Sequence, residues 1–167
     1  MKSNMNTEEL KLLKNNGFCG FKTVAELRNN INVVPTYGGV YVILRPNDDE
    51  PVFLEKGTGG FFKGKDPNVE ISKLEANWVS NSSIIYIGKA DGSTKRGLKK
   101  RLDEYMRFGK GEPIGHKGGR YIWQLKDAAD LVVCWKRVDG DAEQVEKQMI
   151  LTFLTEHGKY PFANLRL

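Results

Sequence analysis

Two tyrosines, an arginine and a glutamate stand out as side chains whose types and settings suit chemistry. Tyr41, in "GGVY", and Tyr86, in "YIGK", each lie beside glycine in an apolar run. There the missing side chain lets a large ligand approach the backbone. Arg101 flanks a stripe set by Leu98 and Leu102 at the helical period, with Tyr105 one turn further on. Glu146 falls inside an apolar arc of Ala142, Val145, Met149, Ile150, Phe153 and Leu154. A carboxylate in such an arc is costly unless it is paired, hydrogen-bonded or metal-bound. Each feature also has a purely structural reading: two core phenols with satisfied hydroxyls, and a Glu146–Arg101 ion pair. Glu143, at the edge of the same arc, is the alternative carboxylate.

Charge adds a partner to this set. The whole chain carries +5, yet residues 86–120 alone hold ten Lys/Arg against four Asp/Glu, which leaves the remainder near neutral. One basic region on a neutral body is the footprint of a face that binds a polyanion. Lys89, Lys95, Lys99, His116, Lys117 and Arg120 are its candidate contacts, with His116 in "GHKGG" read as part of an exposed loop. Arg96, Lys100 and Arg107 point away from the helix stripe and read as solvated charge.

The elements that must position these residues are short. Residues 7–16 and 22–30 predict two helices opened by threonine caps. "GGVYVILR" predicts a strand with Val40, Val42 and Leu44 on one side and Tyr41, Ile43 and Arg45 on the other. About 40 residues of mixed character follow, with a short strand at "PVFLE", a Gly-rich loop and a helix over "EISKLEANWV". "SIIYIGK" is the second clear strand, residues 94–107 a basic helix, and "LVVCWKRV" a third strand. A long helix runs from Asp141, its cap, to about Glu156. The order predicts an α/β (α+β) domain with a small mixed or antiparallel sheet of about three strands flanked by helices.

Taken in order, "GGVY", "YIGKADG", "LKKRLDEY", a Glu-bearing helix and "PFAN" resemble the GIY-YIG nuclease family over roughly residues 37–167. Residues 1–36 then form a helical N-terminal extension, and residues 46–82 an insertion between the two tyrosine motifs. The first motif reads Gly-Val-Tyr where the family has Gly-Ile-Tyr, and the spacing from Tyr41 to Tyr86 is longer than the family's. The resemblance implies a metal-dependent endonuclease that hydrolyses phosphodiester bonds, with DNA as the expected partner. It implies catalytic roles for Tyr41, Tyr86, Arg101, Tyr105 and Glu146, with Glu146 as the Mg2+ (or Mn2+) ligand. It further places Asn164 of "PFAN" at the motif asparagine and Lys89 just after the second tyrosine motif. Tyr41 is then the candidate general base, Tyr86 orients water or phosphate, and Arg101 meets a phosphate oxygen.

Two other functions are weighed against this one. A catalytically inactive nucleic-acid-binding module would keep the basic face without needing Glu146 in an apolar arc. A phosphate-binding loop is suggested by "GGFFKGKD", but Asp66 stands where that motif needs Ser or Thr, and Pro67 follows at once. No apolar run is long enough to span a bilayer, the N-terminal stretch is polar, and Cys19 and Cys134 show no metal-ligand spacing. Reduced thiols and a cytoplasmic location are therefore expected, with a homodimer as one way to cut both strands of a duplex.

Overall fold

The computed structural model describes residues 5–92, 97–116 and 118–165. Within them four strands, β1 (Cys19–Thr23), β2 (Gly39–Leu44), β3 (Ile84–Ala90) and β4 (Val132–Arg137), form one antiparallel sheet in the order β1-β4-β2-β3. Five α-helices accompany it: α1 (Thr7–Asn15), α2 (Val24–Asn29), α3 (Ile71–Asn77), α4 (Leu98–Phe108) and α5 (Ala142–His157). No helix among the described residues is long and apolar enough to cross a membrane.

The sheet has four strands where the sequence predicts about three. The extra one is β1, which lies in the segment expected to be a helical extension. It pairs with β4 through a bulge at Gly20 and Phe21, whose φ angles of 92° and 54° put both in the left-handed region. Trp135 of β4 lies across Gly20, where a Cβ would sit 2.5 Å from the indole ring. Glycine is therefore required at a position that falls between the two predicted helices. The second helix starts at Val24, because Thr23 and Glu26 close a capping box on each other's backbone N–H groups. At α1 the cap is Asn6 in place of Thr7, its side chain accepting from the N–H groups of Glu8 and Glu9.

Alternation along β2 divides the core as expected. Val40, Val42 and Leu44 join Leu13 of α1 and Ile150 of α5 on one face. Tyr41 and Ile43 join Leu98, Leu102 and Tyr105 of α4 on the other. Leu98 and Leu102 are fully buried, and each such side chain stabilises the fold by about 1.5–3 kcal/mol relative to exposure. That burial fixes the rotation of α4, and with it the direction of Arg101. Cys19 and Cys134 are both free. They fall on neighbouring strands, but Cys19 is in register with Trp135 and so faces away from the side that Cys134 occupies.

Residues 46–82 are stitched into the domain. "PVFLE" is not a strand: only Phe53 forms an isolated bridge, to Leu125. The buried Gln124 side chain accepts from the Val69 N–H at 2.9 Å and donates to the carbonyls of Leu54 (3.0 Å) and Val69 (2.9 Å). Leu74 of α3 is fully buried, and Phe53 and Trp78 pack with Phe162 at ring separations of 5.0–5.9 Å. Composition allows a mobile flap or a packed element here. Gly60, Pro67, Leu74 and Val79 anchor the segment in the domain, while much of the rest is exposed, Phe61 at 53%.

Candidate active site at the free edge of the sheet

β3 is the outermost strand, with α4 on one face of the sheet and α5 on the other; Ala163 and Asn164 bond its outer edge at Ile85 and Ile87, and the strand runs on past them to Ala90. An open cleft of about 240 Å³ lies there, lined by Tyr41, Tyr86, Lys89, Ala90, Asp91, Arg101 and Glu146. Two strands and two helices thus bring together residues spread over more than half of the sequence.

Tyr41 reaches this edge from an interior strand. Its cross-strand partner is Gly88, and a Cβ at Gly88 would collide with the Tyr41 ring, 2.5 Å from its hydroxyl oxygen. Gly88 of "YIGK" therefore makes room for Tyr41 itself, whereas Gly38 and Gly39 of "GGVY" lie against the backbone of Gly92 and Lys136. The Tyr41 and Tyr86 rings are 6.0 Å apart. The Tyr41 hydroxyl is buried and completes no hydrogen bond among the described residues. Burial pushes the Tyr41 phenol up to about 12, outweighing the opposing pull of the Arg101 charge. Burial raises Tyr86 as well, and the neighbouring Tyr41 adds to the effect.

Tyr41 is therefore a neutral phenol at pH 7. A general-base role for Tyr41 needs a further cation or a hydrogen-bond relay to bring the phenol down. A neutral hydroxyl at the edge of the cleft can orient water or a phosphate oxygen.

Glu146 is half-buried on α5, and burial raises its carboxyl above the usual range. Lys89 opposes the shift, Glu143 adds to it, and Arg101 and Lys147 oppose it further. It forms no ion pair among the described residues, so the structural Glu146–Arg101 bridge is not made. Glu143, the alternative carboxylate, is exposed, pairs with Lys147 at 3.7 Å and is not among the residues lining the cleft. Asp91 is a member that sequence reasoning passed over as background charge. It lines the cleft and pairs with Lys89 at 3.5 Å. Its position two residues beyond Lys89 at the end of an edge strand was the available signal.

No group of three or more His, Cys, Asp or Glu among the described residues is arranged to hold a metal. A half-buried carboxylate without a cation partner, in an open cleft, does suit Mg2+ (or Mn2+). Mg2+ keeps several waters and commonly takes only one or two protein carboxylates plus a substrate phosphate.

Tyr105, His116 and Asn164 have other places. Tyr105 is fully buried and donates its hydroxyl hydrogen to the Gly119 carbonyl at 2.6 Å. It packs behind Tyr41 and Tyr86, at 6.3 and 5.7 Å between rings, and so positions them without lining the cleft. His116 is not exposed but 1% accessible, stacked on Tyr105 at 4.2 Å. The polar "GHKGG" sequence conceals this, because Gly118 and Gly119 let the loop close against Tyr86 and Tyr105.

Asn164 is buried, and its amide accepts from the Ile87 N–H and donates to the Ile87 carbonyl, both at 2.9 Å. It substitutes for a missing neighbour strand at the edge of β3, with its amide held against the backbone of Ile87. Asn164→Ala should therefore lower stability by about 1–3 kcal/mol in urea denaturation, leaving the salt dependence of nucleic-acid binding unchanged.

Of the remaining cations, Lys89 and Arg101 line the cleft and Lys99 is half-buried on α4. Arg120 stacks over Tyr121, 5.5 Å from the ring centre, away from this cleft. Lys95 and Lys117 lie outside the described residues. Comparison with family models, with curated proteins and with solved structures gives no match for this chain.

Proposed function

We propose that the chain is a metal-dependent endonuclease of GIY-YIG type that hydrolyses phosphodiester bonds in nucleic acid, DNA being the expected substrate. The observation that carries this reading is the convergence of Tyr41, Tyr86, Lys89, Arg101 and Glu146 on one open cleft at a sheet edge. A phosphodiester bound there meets the forked donors of Arg101 and the ammonium of Lys89, which offset the charge developing at phosphorus. The hydroxyls of Tyr41 and Tyr86 hold an attacking water or a non-bridging oxygen in place. Glu146 is the carboxylate that would hold Mg2+ (or Mn2+), which when bound supplies positive charge beside a phosphate oxygen. Asp91, through Lys89, tempers the positive charge at the cleft mouth.

The free cysteines fit a reducing compartment, and with it a cytoplasmic location. A single cleft cuts one strand at a time, so a double-strand break would need two protomers or two encounters.

The polyanion partner is testable apart from the chemistry. Arg107 is engaged by Asp103 and Glu112, which lowers the number of cations free for phosphates. With four to six engaged, log K on duplex DNA should fall with log[salt] at a slope of about −4 to −5. A slope near zero in fluorescence anisotropy titrations would favour a small-molecule substrate. Salt-sensitive binding with no cleavage at any Mg2+ concentration would favour the inactive binding module instead.

A further inference from the structure

Behind Tyr105, between the inserted segment and the loop after α4, lies a second cleft of about 190 Å³. Phe62 and Phe108 give it apolar walls, and His116 forms part of its lining. Lys65 and Arg120 stand at its rim. A tight turn builds the inserted side: Lys63 and Gly64 both take positive φ, 53° and 74°, and Phe62 bridges to Lys65. That turn carries both Phe62 and Lys65 to the cleft.

His116 is the unexplained group. Both of its ring nitrogens are buried without a hydrogen-bond partner among the described residues. Burial first, then the nearby Arg101 charge, holds it well below the usual histidine range. It is therefore neutral, with one donor and one acceptor nitrogen. Buried polar atoms of this kind are costly unless something completes them. The Asp66 carboxylate, also on the lining, accepts through one oxygen from the Asn68 N–H (2.9 Å) and amide (2.7 Å), and with Lys65 and Arg120 it leaves the cleft with one net positive charge.

An aromatic wall, a neutral donor–acceptor ring and cations at the entrance suit a planar heterocycle joined to a phosphate. The volume lies below the about 300–1,000 Å³ of drug-sized pockets, which leaves space for one such ring system. Tyr105 links the two clefts, stacked on His116 on one side and packed against Tyr41 and Tyr86 on the other.

We propose that this second cleft is a nucleobase subsite, taking one unstacked base of the strand whose phosphate lies in the first cleft. The base stacks on Phe62 and hydrogen-bonds to His116, while Lys65 and Arg120 meet its flanking phosphates. The inference rests on the nuclease reading of the first cleft and narrows its substrate. Strands with unpaired or easily unpaired bases beside the cut are favoured over uniform duplex.

The test uses single-stranded oligonucleotides carrying the fluorescent base 2-aminopurine at successive positions, titrated with the protein in EDTA so that no cleavage is required. One position should change its fluorescence strongly on binding. Phe62→Ala should remove that change and weaken binding about 5- to 100-fold, while Phe62→Tyr retains both. Phe62 is only half-buried at a turn, and a melting curve for each variant checks that the fold persists. If the wild-type protein cleaves nucleic acid but no position responds, or Phe62→Ala binds as the wild type does, the subsite is refuted and the nuclease reading stands. If no nucleic acid is bound or cut by the wild-type protein, both readings fall.

Discussion

Glu146→Gln abolishes Mg2+-dependent cleavage, by about 10³-fold or more, while nucleic-acid affinity in EDTA stays within a few-fold of wild type. The substitution keeps the shape of the side chain and removes its charge, so the loss isolates the carboxylate's part in holding the metal. Stability gives an independent signature. The folded Glu146 carboxyl lies above its ordinary value of 4.5, with burial as the leading cause. The native state therefore binds this proton more readily than the unfolded chain does. Its contribution to stability is complete below about pH 4.5 and is lost as pH rises through the raised value. At neutral pH the wild-type protein carries the cost of a half-buried charge, and the glutamine variant is the more stable of the two. Equal or lower stability for Glu146→Gln at pH 7, measured in urea, would mean that the carboxylate has a stabilising partner.

Tyr41→Phe and Tyr86→Phe each slow single-turnover cleavage by about 10²–10³-fold. Their stabilities diverge from their activities. The Tyr41 hydroxyl is buried and, among the described residues, has only Tyr86 and Arg101 near it and no hydrogen bond of good geometry, so removing it should change the melting temperature little. Tyr86→Phe shifts stability by about 0.5–1.5 kcal/mol at most. With Tyr41 pushed up to about 12 and Tyr86 raised as well, neither phenol titrates near neutrality. The cleavage rate should consequently show no tyrosine ionisation between about pH 6 and 9. Its acid limb instead follows Glu146, falling as that carboxyl is protonated. A rate rising tenfold per pH unit through pH 9, lost in Tyr41→Phe, would restore the general-base role.

The parts of this arrangement that were legible in the sequence follow local periodicity. Alternation in "GGVYVIL" separates Tyr41 and Ile43 from Val40 and Val42, and the two core faces keep that division. Helical spacing places Arg101 beside the Leu98–Leu102 stripe and Glu146 within the arc of α5, and both reach the cleft. What escaped is decided by long-range contacts. β1 exists because Gly20 accommodates Trp135 from a strand more than a hundred residues away. His116 is buried because Gly118 and Gly119 let a polar loop fold onto two tyrosines. Asn164 reads as a ligand contact until the free edge of β3 is seen to need a hydrogen-bonding partner at Ile87. Tyr105 sits at the right spacing from Arg101, yet its hydroxyl is committed to the Gly119 carbonyl. For His116, Asn164 and Tyr105 residue type announces a polar role, and only the tertiary partner decides whether that role is chemical or structural.

The central claim is that the cleft at the edge of β3 hydrolyses phosphodiester bonds. Its most direct test is incubation of the wild-type protein with supercoiled plasmid, single-stranded DNA and branched DNA, with Mg2+ or with EDTA, followed by analysis of the strand ends. The account predicts strand breaks in Mg2+, none in EDTA, and none with Glu146→Gln. Intact substrates after prolonged incubation with stoichiometric folded protein in Mg2+ or Mn2+, or breaks undiminished by Glu146→Gln, would contradict it.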